Sequence, residues 1–504
     1  MKFSHIGIAA AALLWGGSMA SCSQSPPSGV CDGVTGACLD LYVTYSAPLE
    51  KGYELEIAAI YDGKSSKRIS SGLGIVTLPN HFRVVPPPGI ADSSVTGISF
   101  RAKKSGNLLA TAKVTEPFLR NPVHNQLSVN LQPYLGKVFD DKSANYTVCK
   151  GPRSTRITDL DLDGHNDIIV TCYNEESIAI LYGTANSQFT TFQQNQARMG
   201  KFAYFSAIMD VDQNGTLDIV TPSYEDGTMG TNGWLSVLKS APNRGWSGPA
   251  FIASSEARLL DAVAADFTGD GMMDFIVNTN GSASKLLIFP NNSFANAGQP
   301  VSKIDLPLNG SYSLAAGFLD ADSNADVVTV GNVSNSFSVV WGNNLQTSPT
   351  VSTYTPIPGI VQSLTPLIAD VDGDNKNDII IVQCGNPSVV IYKNMGNRKF
   401  QETNRFDTGK GSCTAVADDF DRDGRIDLVV RNDDDFTVSV LLGIGNGEFK
   451  LTQTIVNNDI AYIGHIASGD LNNDGMPDIV LSGSASNDPF AVGRTVSVHY
   501  NQVP

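Results

Sequence analysis

Seven times between Asp159 and Asp478 the chain spells Asp-x-Asp/Asn-x-Asp/Asn-Gly-x-x-Asp, with small departures. The fullest copies are loop 1 (Asp159, Asp161, Asp163, Gly164, Asp167) and loop 6 (Asp419, Asp421, Asp423, Gly424, Asp427). Loop 2 has Asp210, Asp212, Asn214 and Asp218; loop 3 has Asp266, Thr268, Asp270 and Asp274; loop 5 has Asp370, Asp372, Asp374 and Asp378; loop 7 has Asp470, Asn472, Asp474 and Asp478. Oxygens at positions 1, 3 and 5 converge when such a loop curls, glycine at position 6 permits the sharp turn, and Asp at position 9 closes the shell. A set of oxygen donors of this kind suits a hard cation, above all Ca²⁺, which takes six to eight oxygens. Loop 4 has Phe318 at position 1 and Ser323 at the glycine position, keeping only Asp320, Asp322 and Asp326. It is expected to bind weakly or not at all, leaving about six calcium sites. Loop 5 carries Asn375 in place of the glycine. The ions are expected to be structural, because clustered carboxylates repel one another until a cation joins them.

The loops start 49 to 56 residues apart, a period that belongs to solenoids, propellers or arrays. Within each period the internal order repeats. An apolar strand A enters the loop (Phe205–Met209), strand B leaves it (Asp218–Thr221), strand C follows (Val389–Tyr392, Val438–Leu441) and strand D ends the unit (Phe449–Ile455). Four short strands per repeat, seven repeats and no helical periodicity predict an all-β fold, a seven-bladed β-propeller. The last unit lacks strand D, while a spare strand, Ala144–Cys149, precedes the first strand A. Using the spare strand as D of blade 7 closes the ring and removes an exposed edge.

From about residue 144 to 504 the chain resembles the FG-GAP/VCBS repeat family, the calcium-loop propellers also found in integrin α-chains and some lectins. The resemblance extends to the turns after strand C, Asn394-Met-Gly396-Asn-Arg-Lys-Phe400 and Leu442-Gly443-Ile-Gly445-Asn-Gly447-Glu-Phe449. Gly443-x-Gly445-x-Gly447 opens no helix, so it reads as a hairpin turn and not as a phosphate loop.

The chain has 504 residues and a formal charge of −16. Of its 50 acidic residues, 24 are the motif aspartates, so the acid is concentrated in the loops. That balance argues against a nucleic-acid partner, which calls for basic patches. Lys2, the apolar Ile6–Trp15 stretch and Met19-Ala20-Ser21-Cys22 read as a secretion signal over residues 1–21. The four residues ending at Cys22 resemble a bacterial lipobox, which implies cleavage before Cys22 and a lipid on its sulfur. An ordinary signal peptide cut near Ala20 is the alternative. Residues 22–30 then form a flexible tether. Residues 31–137 alternate polar and apolar in short runs such as Leu39–Tyr45, Val95–Phe100 and Leu108–Val114, which predicts a small Ig-like β-sandwich ahead of a propeller over 138–504. The expected location is the bacterial cell envelope, lipid-anchored, at the outer membrane or cell surface, with the protein a monomer.

Six further cysteines in an exported chain suggest three disulfides. In a blade the A–B and C–D turns lie on one face and the B–C and D–A connections on the other. Cys149, Cys172, Cys384 and Cys413 all fall on the second face, predicting Cys149–Cys172 and Cys384–Cys413, with Cys31–Cys38 in the N-terminal domain. The longest B–C loops, 222–233 and 483–494, flank blade 1 on that face. Tyr173, Glu175, Tyr224, Glu225, Asp226, Trp234, Asn487, Phe490 and Arg494 are therefore the candidate binding residues. No Gly-x-Ser-x-Gly, His-Glu-x-x-His or Arg-Gly-Asp occurs. The expected function is a non-enzymatic, calcium-binding adhesion module for a protein or glycan. The alternative is a secreted carbohydrate-active enzyme or lectin, since related propellers occur in such proteins.

Overall fold

Strand B of almost every blade is buried along its whole length, Asp167–Cys172, Asp274–Thr279, Asp326–Gly331, Asp427–Asn432 and Asp478–Gly483 among them. A strand buried on both faces must have a neighbour on each side. Alternate residues divide between the two: Ile379 and Ile381 pack with Val328 and Val339 of the preceding blade, while Ile380 and Val382 pack with Leu428 and Val430 of the following one. The described residues form seven such apolar clusters, one at each blade boundary. Each fully buried Ile, Val or Leu in them contributes about 1.5–3 kcal/mol.

The computed structural model describes seven strands between Leu39 and Pro133 and, interrupted in connecting segments such as 226–232, 355–361, 457–463 and 484–493, residues 137–503. The signal, the tether, Cys22, Cys31 and Cys38 lie outside the described residues. So do Asp226, Asn487 and Phe490, and the side chain of Glu225.

The propeller consists of seven antiparallel blades. Strand A of one blade touches strand A of the next, so these strands ring the axis and strands D lie outermost. Blade 1 runs Pro152–Thr158, Asp167–Cys172, Ser177–Tyr182, Thr191–Asn195, and blade 6 runs Ser412–Asp418, Asp427–Asn432, Thr437–Gly445, Glu448–Val456. In blade 2 strand A is split into Lys201–Ala203 and Ala207–Met209. Blade 7 takes Ile466–Gly469, Asp478–Gly483 and Thr495–His499 from one end of the propeller segment and Ala144–Thr147 from the other. Thr495 pairs with Thr147 and Val498 with Ala144, antiparallel, as the missing strand D required. Beside this clasp, Gln453 of blade 6 accepts the amides of Val138 and Phe139 through Oε1, at 2.8 and 3.0 Å.

The N-terminal strands include the runs expected from their alternation, Leu39–Tyr45 and Asn107–Val114 among them. They form one hydrogen-bonded path in which Leu39–Tyr45 lies parallel to Asn125–Pro133 and antiparallel to Asn80–Val84. Side-chain packing of a sandwich there lies outside the described residues. There is no α-helix among the described residues.

Candidate functional site

Position 9 of each loop begins strand B, at zero exposure in Asp167, Asp218, Asp274, Asp326, Asp378, Asp427 and Asp478. The carboxylate faces the end of strand C and the start of its own loop. In blade 1, Oδ2 of Asp167 accepts the Leu160 amide at 2.9 Å and Oδ1 accepts the Gly183 amide at 2.8 Å. The same pair recurs from Val371 and Asn394 on Asp378, from Phe420 and Gly443 on Asp427, and from Leu471 and Asn501 on Asp478. Strand C must come close for this. A Cβ at Gly443 would stand 2.3 Å from the Ile426 carbonyl, and one at Gly342 would stand 2.2 Å from that of Ala325. Burial pushes these carboxyls up, to about 7 at Asp167, about 6 at Asp326 and Asp378, and about 8 at Asp478, against the pull of the two amides. Position 9 is thus first a staple between the A–B turn and strand C.

Position 1 organises the curl. Asp159 accepts the Asp163 amide on Oδ1 (3.0 Å) and the Gly164 amide on Oδ2 (2.9 Å). Asp210, Asp370, Asp419 and Asp470 do the same in their loops. Position 6 is left-handed in each of these loops, including Asn375 at φ 62°, which asparagine tolerates better than most residues. Position 4 is left-handed too: Leu162, Gln213, Arg422 and Asn473, with glycine at 269 and 373.

The result brings three carboxylates, each with an oxygen within 4.8 Å of the others, together in four loops: Asp159/Asp161/Asp167, Asp210/Asp212/Asp218, Asp370/Asp372/Asp374 and Asp419/Asp421/Asp427. This donor set fits Ca²⁺. Loops 3 and 7 keep the same wrap, with the Gly271 and Gly475 amides 2.8 Å from Asp266 and Asp470, but place the neutral Thr268 and Asn472 at position 3. Bound calcium would supply the charge that lets these carboxylates lie side by side.

Loop 4 is built differently. Ala321 and Ser323 are not left-handed, and Phe318 is 52 % exposed. Asp320 and Asp322 are held instead by Arg398 from the C–D turn of blade 5, with Nε 2.7 Å from Asp320 Oδ2 and Nη2 3.5 Å from Asp322 Oδ2. The guanidinium lies over Trp341, 4.7 Å from the ring centroid. Arg244 of blade 2 repeats the arrangement on loop 1, bonding Asp161 at 2.5 Å and Asp163 at 3.2 Å above the Tyr182 ring. Lys239 pairs with Asp212, and Lys393 with Asp372 and Asp374.

On the opposite face, Tyr173, Phe202, Tyr204, Tyr224 and Tyr312 form a linked aromatic group. Arg153 lies over Tyr204 (4.6 Å) and Tyr173 (5.7 Å), and Arg258 over Tyr224 (5.5 Å). Of the residues expected from loop length, Tyr173 and Tyr224 belong to this group. Glu175 and Arg494 meet each other at 3.4 Å. Trp234 lies apart, against Phe251. Tyr204, Tyr312 and Arg153 were not among the expected residues, because Arg153 and Tyr312 sit on innermost strands and Tyr204 lies between the two halves of strand A of blade 2, not in long loops. The same face carries both propeller disulfides, Cys149–Cys172 and Cys384–Cys413, with Cα atoms 5.8 and 4.2 Å apart.

A seven-bladed ring of four-stranded sheets, with an aspartate loop at each A–B turn, defines the class: a β-propeller of aspartate-loop repeats. Residues 159–221, 370–430 and 419–481 match the FG-GAP-like repeat family. The matched segments contain loops 1, 2, 5, 6 and 7; the departures at Thr268 and Phe318 fall between them. No curated protein matches the chain. Among solved structures, BBS1N in complex with ARL6DN is similar over 72 % of this chain and 97 % of that one, at 10 % identity and a TM-score of 0.50. An Agrocybe aegerita lectin, solved for its recognition of non-reducing terminal N-acetylglucosamine, covers 90 % of this chain and 96 % of its own at 15 % identity and a TM-score of 0.45. At these identities the likeness concerns the fold.

Proposed function

We propose that the protein is a calcium-stabilised, non-enzymatic binding module, anchored to a bacterial cell surface by a lipid on Cys22, that engages a protein or glycan with the face opposite the aspartate loops. The observation that carries this reading is the division of labour between the two faces. The loop carboxylates are engaged by backbone amides, by arginine and lysine arms, and by the geometry of a cation shell. The partly exposed tyrosines and Arg153 gather on the other face, as ligand-binding surfaces do. Such a scaffold holds its aromatic group rigid, which lowers the entropy cost of binding. Calcium contributes by linkage, through its preference for the folded loops.

The test is a glycan array and a pull-down from the cell surface, both in calcium buffer, with the full chain and with Tyr204→Ala. Capture of a defined ligand that Tyr204→Ala abolishes supports the reading. Turnover of a captured glycan, or capture indifferent to this face, overturns it.

A further inference from the structure

The axial end of the tyrosine face holds more positive charge than its neighbours balance. Arg431, 4 % exposed, spends Nε on Asp433 Oδ1 at 2.8 Å and Nη1 on the Ser482 carbonyl, while Nη2 has no partner. Gly464 makes room for it, since a Cβ there would lie 2.6 Å from Arg431 Nη1. His465 follows. Its amide donates to Ser482 Oγ at 3.0 Å, its ring stands edge-on to Phe205 at 5.6 Å, and its buried Nδ1 has no partner. The Ser482 hydroxyl in turn donates to the Arg153 carbonyl at 3.0 Å. Ser482 therefore joins Arg431, His465 and Arg153 across blades 6, 7 and 1.

The carboxylates nearby are already engaged. Asp433 serves Arg431. Asp261 faces Arg156 at 4.0 Å, and its oxygens accept the Ser313 hydroxyl and the amides of Leu314 and Ala262. Arg153 makes its direct side-chain contacts with tyrosines, two rings and the Tyr312 hydroxyl, to which Nη2 donates at 3.2 Å, and feels Asp433 only as a more distant charge. Three guanidinium groups, Arg153, Arg156 and Arg431, thus share two already engaged carboxylates, Asp261 and Asp433, in a chain whose formal charge is −16. A guanidinium offers five N–H donors in a fork that matches an oxyanion, and low-dielectric surroundings strengthen the attraction.

We propose that this axial cluster binds an oxyanion, a carboxylate or sulfate group of the kind an acidic saccharide carries, with Arg153, Arg431 Nη2 and the Nδ1–H tautomer of His465 as its donors. The proposal rests on the binding-module reading and names the chemistry of its ligand. The experiment is calorimetric titration of the calcium-loaded full chain, at fixed ionic strength, with sodium glucuronate, sodium sulfate and glucose. Glucuronate and sulfate should bind and compete, and glucose should give no heat. Arg153→Gln should weaken both anions about tenfold or more, the loss of one charged hydrogen-bonding partner. In the wild type, sulfate should also move the His465 imidazole signals in NMR spectra, the signals being assigned by their absence from His465→Gln. Absence of heat from both anions, equal affinity in Arg153→Gln, or unmoved imidazole signals overturns the proposal. Binding of sulfate but not glucuronate overturns the saccharide assignment. A neutral glycan or protein still captured by Arg153→Gln would sink this site while leaving the binding-module reading intact.

Discussion

Arg398 reaches from blade 5 into the loop of blade 4, where its Nε lies 2.7 Å from Asp320 Oδ2. The same loop has lost its position-1 aspartate to Phe318. A side-chain cation from the next blade thus braces the two aspartates that loop 4 keeps, as Arg244 does for Asp161 and Asp163 of loop 1. Arg398→Ala should cost about 1–2 kcal/mol, combining a partly buried ion pair with stacking on Trp341. The cost should be equal with and without calcium. Thermal melting in calcium and in chelator checks this; a cost confined to the calcium sample would show that loop 4 takes an ion after all.

The staple at position 9 can be separated from the cation shell. Asp378→Ala strips the acceptor from two amides, those of Val371 and Asn394. Leaving buried donors unsatisfied costs roughly 1–3 kcal/mol each, so urea midpoints should fall steeply in calcium and chelator alike. Asp370→Asn, at position 1, should keep most calcium-free stability and lose calcium-dependent stability. Isothermal titration with calcium beside urea unfolding distinguishes the two.

Leu162 is 57 % exposed and held at φ 61°, whereas loops 3 and 5 have glycine at this position. The left-handed conformation costs a non-glycine residue about 1 kcal/mol. Leu162→Gly should therefore stabilise the protein by roughly that amount, read as a higher melting midpoint in calcium.

Stability should fall in mild acid because of His465. Burial, with Arg156, Arg431 and Arg153 around it, holds its imidazole well below the usual histidine range. The folded state then binds fewer protons than the unfolded chain, whose histidine titrates near ~6.5. This contribution is fully present above that pH and is lost as pH falls below it, towards the folded value. Buried Asp261 and Asp433, pushed upward by burial, act in the opposite sense. The informative quantity is therefore the difference between wild type and His465→Gln. Urea midpoints at successive pH values should converge as the pH drops from about 7 to 5; parallel curves would remove His465 from this role.

Reduction of Cys149–Cys172 should loosen ring closure in particular. The bridge spans 23 residues of sequence and ties the segment after Ala144–Thr147 to strand B of blade 1. Loss of such a cross-link costs about 3 kcal/mol. In the double variant Cys149→Ser, Cys172→Ser, hydrogen exchange should quicken first at Asn145 and Tyr146 and their partners Val496 and Ser497. Uniform quickening in all blades would show that the clasp has no separate stability.

Blade number, strand order and the closing strand were legible because the aspartate loops recur in register and the B strands are continuous apolar runs. The two propeller disulfides followed from placing four cysteines on one face. The central cluster was not legible. Arg153 and Tyr312 are 159 residues apart, and nothing local in either strand A says that they meet across the axis. The arginine arms were hidden for a similar reason: Arg398 sits in an ordinary hairpin turn, and only the angle between adjacent blades aims it at Asp320. Position 9 was read as a metal ligand because its residue type suits one. That both its oxygens also serve backbone amides depends on how closely strand C approaches.

Ala144–Thr147 pairs with Thr495–His499, so blade 7 joins segments some 350 residues apart in sequence (|i−j| = 352 for Asn145 and Ser497). During synthesis, blades 1 to 6 can assemble in order while Ala144–Thr147 waits as an unpaired edge. Only when Thr495–His499 emerges does that edge find its partner. Ring closure is therefore a completion signal written into the topology: a chain interrupted anywhere before strand C of blade 7 keeps an open, adhesive edge and stands out to proteases and chaperones as unfinished.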